Sequence, residues 1–179
     1  MTLFAKRQNG VTLPELLISI AIISILSTSG VSQFNLFLSK NRMAAEVNLF
    51  MTALHHARNA SLTHAGRVVL CPSSDGANCG NSSEWNNGWL LFASNNREHD
   101  ATEVVLQAGT PLSSGISLRA SNHRKRIMFQ QDGSSGGSNS SFTFCDSRSL
   151  AAPRVICLSN SGRPRLTRTQ CNGRPIHCG

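Results

Sequence analysis

The sequence predicts an α+β fold, one long N-terminal helix whose C-terminal half packs on an antiparallel β domain, and three observations predict it. Residues 16–39 run for 24 positions without a charge, and an α-helix needs about 20 apolar residues to cross a bilayer. Met43, Val47, Phe50, Leu54 and Ala57 then recur at steps of four, three, four and three, which is one face of a helix. Beyond Gly66 the texture changes to short apolar runs separated by Ser-, Asn- and Gly-rich stretches. Repeated short strands without helical patterns between them imply antiparallel β structure.

Element by element, the chain opens with Lys6-Arg7-Gln8-Asn9-Gly10, then Val11-Thr12-Leu13-Pro14-Glu15, then the uncharged run. Glu15 is the anomaly, because an ionised carboxylate beside hydrocarbon is expensive unless paired and is therefore a functional residue by default. A helix from Leu13 to Thr63 would be about 75 Å long at a rise of 1.5 Å per residue. Its first half is expected in a membrane or filament core and its second half against the globular domain, with Gly66 as the stop. Strands are expected at Arg67-Val68-Val69-Leu70-Cys71, Gly88-Trp89-Leu90-Leu91-Phe92, Glu103-Val104-Val105-Leu106-Gln107, Ile116-Ser117-Leu118-Arg119, Arg126-Ile127-Met128-Phe129, Ser141-Phe142-Thr143-Phe144-Cys145 and Arg154-Val155-Ile156-Cys157-Leu158. The organisation is thus a leader at 1–10, a hydrophobic helix at 11–39, an amphipathic helix half at 40–65 and a β domain at 66–179 with a basic C-terminal region.

Charge and cysteine content bound the function. The formal net charge of the 179 residues is +8. Residues 1–115 hold seven basic and seven acidic side chains, whereas residues 116–179 hold ten basic and two acidic ones, so 10 − 2 = +8 and all of the excess lies in the last third. Nine of those ten are arginine, whose planar, permanently charged fork suits phosphate. A polyanionic partner, nucleic acid or lipid headgroup, follows. The six cysteines, Cys71, Cys79, Cys145, Cys157, Cys171 and Cys178, all lie downstream of the apolar run, which reads as disulfides in an oxidising compartment. Many connectivities are open; local pairing is the simplest and gives Cys71 with Cys79, Cys145 with Cys157 and Cys171 with Cys178.

The order of basic leader, glycine, short step, glutamate and apolar helix resembles the type IV prepilin class III leader. That resemblance implies cleavage between Gly10 and Val11 by a prepilin peptidase, methylation of the new amino terminus and retention of the span. It also implies that Glu15 docks on the N-terminal amine of a neighbouring subunit during filament assembly. An amine and a carboxylate in an apolar bundle relieve each other's desolvation. Four further stretches narrow the resemblance: Trp85-Asn86-Asn87-Gly88-Trp89-Leu90-Leu91-Phe92, Arg126 to Gly133, Phe142-Thr143-Phe144-Cys145 and Arg154 to Arg165. With the leader, these resemble the GspH/FimT group of minor pilins and pseudopilins, and they imply the type IV pilin-like fold.

Gly162-Arg163-Pro164-Arg165 is similar to the C-terminal Gly-Arg-x-Arg motif that FimT-like minor pilins of transformable bacteria use to bind DNA during uptake. The chemistry supports the resemblance. Glycine lets the backbone turn and approach closely, and arginines two apart on an extended segment point to one side. Arg168 and Arg174 are expected to extend that row, and Arg148, Arg154 and Arg124-Lys125-Arg126 to flank it. No aromatic side chain interleaves these arginines, so base stacking is not indicated. The expected mode is sequence-independent phosphate contact weakened by salt. The alternatives are a structural GspH-like pseudopilin of a type II secretion system and a minor pilin that primes or tips an adhesion or motility filament.

No P-loop, nucleophile elbow or dinucleotide glycine pattern occurs, so neither an enzyme nor a cofactor is expected. His55, His56 and His64 lack a metal-binding spacing, and Cys171, His177 and Cys178 favour disulfide chemistry over zinc. Trp85 and Trp89 read as core rather than as a ligand cage. The expected partners are DNA, other major and minor pilins, the prepilin peptidase and, before assembly, the inner membrane. The expected location is the bacterial inner membrane with the β domain in the periplasm, and then the extracellular pilus.

Overall fold

A computed structural model describes residues 10–63, 66–94 and 104–178. The basic leader through Asn9, the expected helix end at 64–65 and the first residue of the third expected strand, Glu103, lie outside these. One helix, α1, runs over Leu13–Thr63. Its apolar half satisfies its serines internally, since Ser19, Ser24 and Ser27 donate their hydroxyls to the carbonyls of Glu15, Ile20 and Ile23 at 2.7–2.8 Å. Back-bonding of this kind lets hydroxyl residues sit in an apolar helix without an unpaired donor. Leu16, Leu17, Ile18, Ile20, Ile22, Ile23 and Ile25 of this half are all exposed. Among the described residues no helix is long and apolar enough to cross a membrane; the side chains at 26 and 28–32 of the apolar run are outside the description.

Residues Met1–Leu38 and Ser39–Gly179 form two compact units. In the second, the helical stripe is buried as its periodicity predicts: Met43, Val47, Phe50, Leu54 and Ala57 are each at most 2% exposed. Eight strands follow: β1 (Arg67–Pro72), β2 (Trp89–Ser94), β3 (Val104–Gly109), β4 (Ile116–Ala120), β5 (Ile127–Phe129), β6 (Ser140–Asp146), β7 (Arg154–Leu158) and β8 (Pro164–Thr167), with a short 3-10 helix at Ser121–His123. They form two antiparallel sheets, ordered β3-β2-β1-β5 and β4-β6-β7-β8. The seven expected strands are all present, and β8 is the addition.

Both sheets and the helix share one core. At its centre Phe50 meets the rings of Trp85, Phe142 and Phe144 edge-on at centroid distances of 5.7, 4.8 and 6.0 Å. Trp85 and Trp89 are buried, as core residues. Polar clasps fix the helix to the sheets' connections: Glu46 Oε1 accepts the amide and hydroxyl of Ser113 at 2.9 and 2.6 Å. The buried Ser39 hydroxyl donates to Asp146 Oδ2.

The disulfides correct the local-pairing expectation. Cys71–Cys79 forms as expected, but the other two are Cys145–Cys178 and Cys157–Cys171. Strand register is the reason. On the antiparallel pair β6 and β7, Cys157 stands opposite Ser141, four residues from Cys145. At about 3.3 Å per residue that offset is roughly 13 Å, beyond the about 7 Å between Cα atoms that a disulfide can span. Each strand cysteine instead takes one from the tail.

Candidate nucleic-acid interface

The second sheet sorts its side chains by the two-residue alternation of a strand. Ile156 and Leu158 of β7 face the core, so Cys157 faces outward. Arg165 pairs with Cys157 and Leu166 with Ile156 across β7 and β8, which puts Arg165 on the outer face. Arg163, two residues earlier on an extended segment, shares that side. Both arginines are exposed, and among the described residues neither has a carboxylate partner.

Together they line an open cleft of about 470 Å³ whose other walls include Ser121, Ser140, Ser141, Ser159, Ser161 and Cys171. Hydroxyl donors beside two guanidinium forks form a surface suited to phosphate oxygens. The serines carried no sequence signal, because they come from three separate loops and strands.

Gly162 serves the fold rather than the ligand. It is buried, has φ +72°, and a Cβ there would lie 2.0 Å from the Gly133 carbonyl oxygen. The β7–β8 turn is therefore seated on the β5–β6 loop, residues 130–139. Ser135 fastens the same seam, its amide to Asn160 O at 2.9 Å and its hydroxyl to Ser159 O at 2.7 Å. Arg58 of the helix braces it from below, donating Nε–H to Gly133 O at 3.1 Å. Arg163 and Arg165 thus project from the turn and the start of β8, which the β5–β6 loop holds and the helix braces through that loop.

The remaining expected members of the row separate. Arg168 and Arg154 line a different cleft, of about 300 Å³, against Ala44, Val47 and Asn48 of the helix. They lie on the core-facing side of the sheet, because Arg168 keeps the parity of Leu166, and Arg154 pairs with the core residue Phe144. Arg148 lies at the far end of β6, its Nε 3.6 Å from Asp146 Oδ1. Arg174 is exposed on a turn in which Gly173 N donates to Gln170 O at 2.9 Å and Gln170 N to Arg174 O at 2.8 Å. That turn belongs to the tail, which crosses the outer face from β7 to β6 between its two disulfides. Cys171, on the wall of the arginine cleft, anchors it. His177 remains as a lone imidazole beside bonded cysteines.

Asp146 organises the other end of the sheet. Burial pushes its pKa up, but the Ser39 hydroxyl, the amides of Arg148 and Ala151 and the Arg148 charge outweigh burial and hold it at about 2. Asp132, on the β5–β6 loop, is lowered from the usual carboxylate value by the hydroxyl and amide of Ser134. Both acids of the C-terminal third are thus ionised at neutral pH, yet one is buried and paired. Among the described residues Arg163 and Arg165 of the outer face keep no carboxylate partner.

A long N-terminal helix whose C-terminal half packs against antiparallel sheets, with an N-terminal half that is apolar and headed by a glutamate, defines a type IV pilin-like subunit. The chain belongs to the GspH family: the profile described as Type II transport protein GspH matches residues 46–162. The prokaryotic N-terminal methylation motif matches residues 5–31. The fold is similar to that of the type IV minor pilin FimU of Pseudomonas aeruginosa strain PAO1. One crystal form gives a TM-score of 0.57 at 16% identity over 73% of this chain and 92% of that one. A second gives 0.53 at 15% identity over 69% and 91%. No curated protein sequence matches the chain. The protein is a minor pilin or pseudopilin.

Proposed function

We propose that this chain is a minor type IV pilin that binds extracellular DNA without sequence preference and supports its uptake in natural transformation. The observation that carries the reading is the exposed pair Arg163 and Arg165 on one serine-lined cleft, without an acidic partner among the described residues. It lies in the third of the chain that holds all of the excess positive charge. Phosphate contact of this kind is independent of base sequence and is released by salt. The leader is cut between Gly10 and Val11 by a prepilin peptidase. The apolar helix half holds the subunit in the inner membrane with the β domain in the periplasm, and Glu15 then guides it into the filament beside other pilins.

The description of the matching family, a type II transport protein, favours a second reading: a structural pseudopilin of a secretion system that contacts only its neighbours. A mobility shift separates the two. Full-length protein in neutral detergent is titrated against random-sequence DNA at several salt concentrations, beside the Arg163→Ala/Arg165→Ala variant. Wild type is expected to bind, with affinity falling steeply as salt rises, and the variant to bind weakly. Equal binding by both proteins, or binding by neither, would exclude the DNA-receptor reading.

A further inference from the structure

A second cationic site adjoins the first. Arg124, Lys125 and Arg126, between the 3-10 helix and β5, line an open cleft of about 600 Å³ with Asn81, Gly136 and Gly137. Among the described residues none of the three has a carboxylate partner. Three features prepare this cleft for an anion. Among the described residues Arg124 Nε is a buried donor without a hydrogen-bond partner, a state that carries a desolvation penalty until an acceptor arrives. Lys125 Nζ is held by Asn81 Oδ1 at 2.8 Å, so its charge is positioned. Gly136 and Gly137 meet nothing within 4 Å of a would-be Cβ, leaving their backbone open to a close approach.

The two clefts share one wall. Residues 136–138 line the second and residues 139–141 line the first. Ser121, which opens the 3-10 helix leading to Arg124, also lines the first cleft and accepts the Ser141 amide at 2.9 Å. Ser138 Oγ in turn accepts the Met128 amide at 3.2 Å. The same β5–β6 loop is fastened to the Arg163 turn through Ser135. Both sets of cations are therefore tied to one loop.

We propose that Arg124, Lys125 and Arg126 form a second phosphate-contact site, and that a single DNA backbone crosses the β5–β6 loop between it and the Arg163/Arg165 cleft. The inference rests on the DNA-binding reading and extends it from a two-arginine contact to a track. Each neutralised phosphate adds about 0.9 to the salt slope for duplex and about 0.7 for a single strand. Losing the site therefore lowers the slope by about 2 to 3.

Fluorescence anisotropy of the full chain in neutral detergent, with random-sequence duplex and single-stranded oligonucleotides from about 50 to 300 mM salt, tests this. The K125Q/R126Q pair spares Arg124, whose Nε is buried, and exchanges only side chains that are exposed or half-buried. It is expected to lower the slope by about 1.5 to 2 and to weaken binding about tenfold at the lowest salt, while K125R/R126K restores both. Adding R163Q/R165Q is expected to lower the slope further. A slope unchanged by K125Q/R126Q while R163Q/R165Q reduces it overturns the track and leaves the first site standing. No binding by wild type removes both. Full binding by R163Q/R165Q with loss in K125Q/R126Q overturns the shared track by moving the contact to the second cleft alone.

Discussion

Gly162 carries more of the interface, and Asp146 more of the fold, than their chemistry advertises. Substituting Gly162 by alanine forces a side chain into the left-handed region and places its Cβ 2.0 Å from the Gly133 carbonyl oxygen. A Gly162→Ala variant is expected to lose about 2–4 kcal/mol of stability, measurable by denaturant unfolding, and to loosen the turn that presents Arg163. A Gly162→Ala protein as stable as wild type would mean that the seam yields freely. Asp146 links stability to pH, since its carboxyl is held at about 2 in the fold, below the usual carboxylate value of 3.8. A depressed folded pKa stabilises above the unfolded value and is lost as pH falls through the folded one. The contribution, about 2 kcal/mol at neutral pH, is therefore complete above about pH 5 and disappears between about 4 and 2. In Ser39→Ala, which removes one donor and so raises the folded pKa toward the unfolded value, the acid-induced decline is expected to be smaller and to end at a higher pH, and thermal melts across that range measure it.

Two elements behave differently from their sequence environment. The helix segment from Ser39 to Thr63 supplies the central ring of the core, so Phe50→Ala is expected to cost about 3–5 kcal/mol through lost burial and a residual cavity. Denaturant midpoints would check this, and a loss below about 1 kcal/mol would contradict the central place of Phe50. The tail is held covalently rather than by packing, since residues 171–175 are exposed. Opening Cys145–Cys178, which closes a separation of 33 residues, is expected to remove about 3–4 kcal/mol by the chain-entropy account. In a Cys145→Ser/Cys178→Ser variant Arg174 gains freedom while Arg163 and Arg165 keep their place on the turn. A DNA affinity little changed in that variant, beside a lowered melting temperature, is the expected pair of readings.

At the scale of the whole molecule the chain separates placement from recognition. The apolar helix half exposes Leu16, Leu17, Ile18, Ile20, Ile22 and Ile23, whereas the excess charge is confined to residues 116–179. Glu15→Ala is therefore expected to lower incorporation into filaments, read by immunoblot of sheared pili, while leaving the DNA affinity of the detergent-solubilised chain unchanged. A Glu15→Ala protein that assembles normally would remove the assembly role of that carboxylate.

The sequence by itself determined the helix, the first seven strands, the buried stripe and the location of the charge, because each depends on periodicity or composition within a short window. It also determined that Arg163 and Arg165 share a side, a consequence of extended backbone. It missed β8, whose four residues begin with a proline and carry no alternation of their own; the strand forms because β7 offers it an edge. Only the tertiary structure decided the disulfide partners, since register keeps Cys145 from Cys157. Tertiary structure also decided which arginines assemble. Parity on the second sheet sends Arg154 and Arg168 to the side facing the helix, the Asp146 pair holds Arg148 at the far end, and the β5–β6 loop brings Arg124, Lys125 and Arg126 beside the first cleft. Contacts between residues distant in sequence follow from how strands align and loops interlock, and no local pattern encodes that alignment.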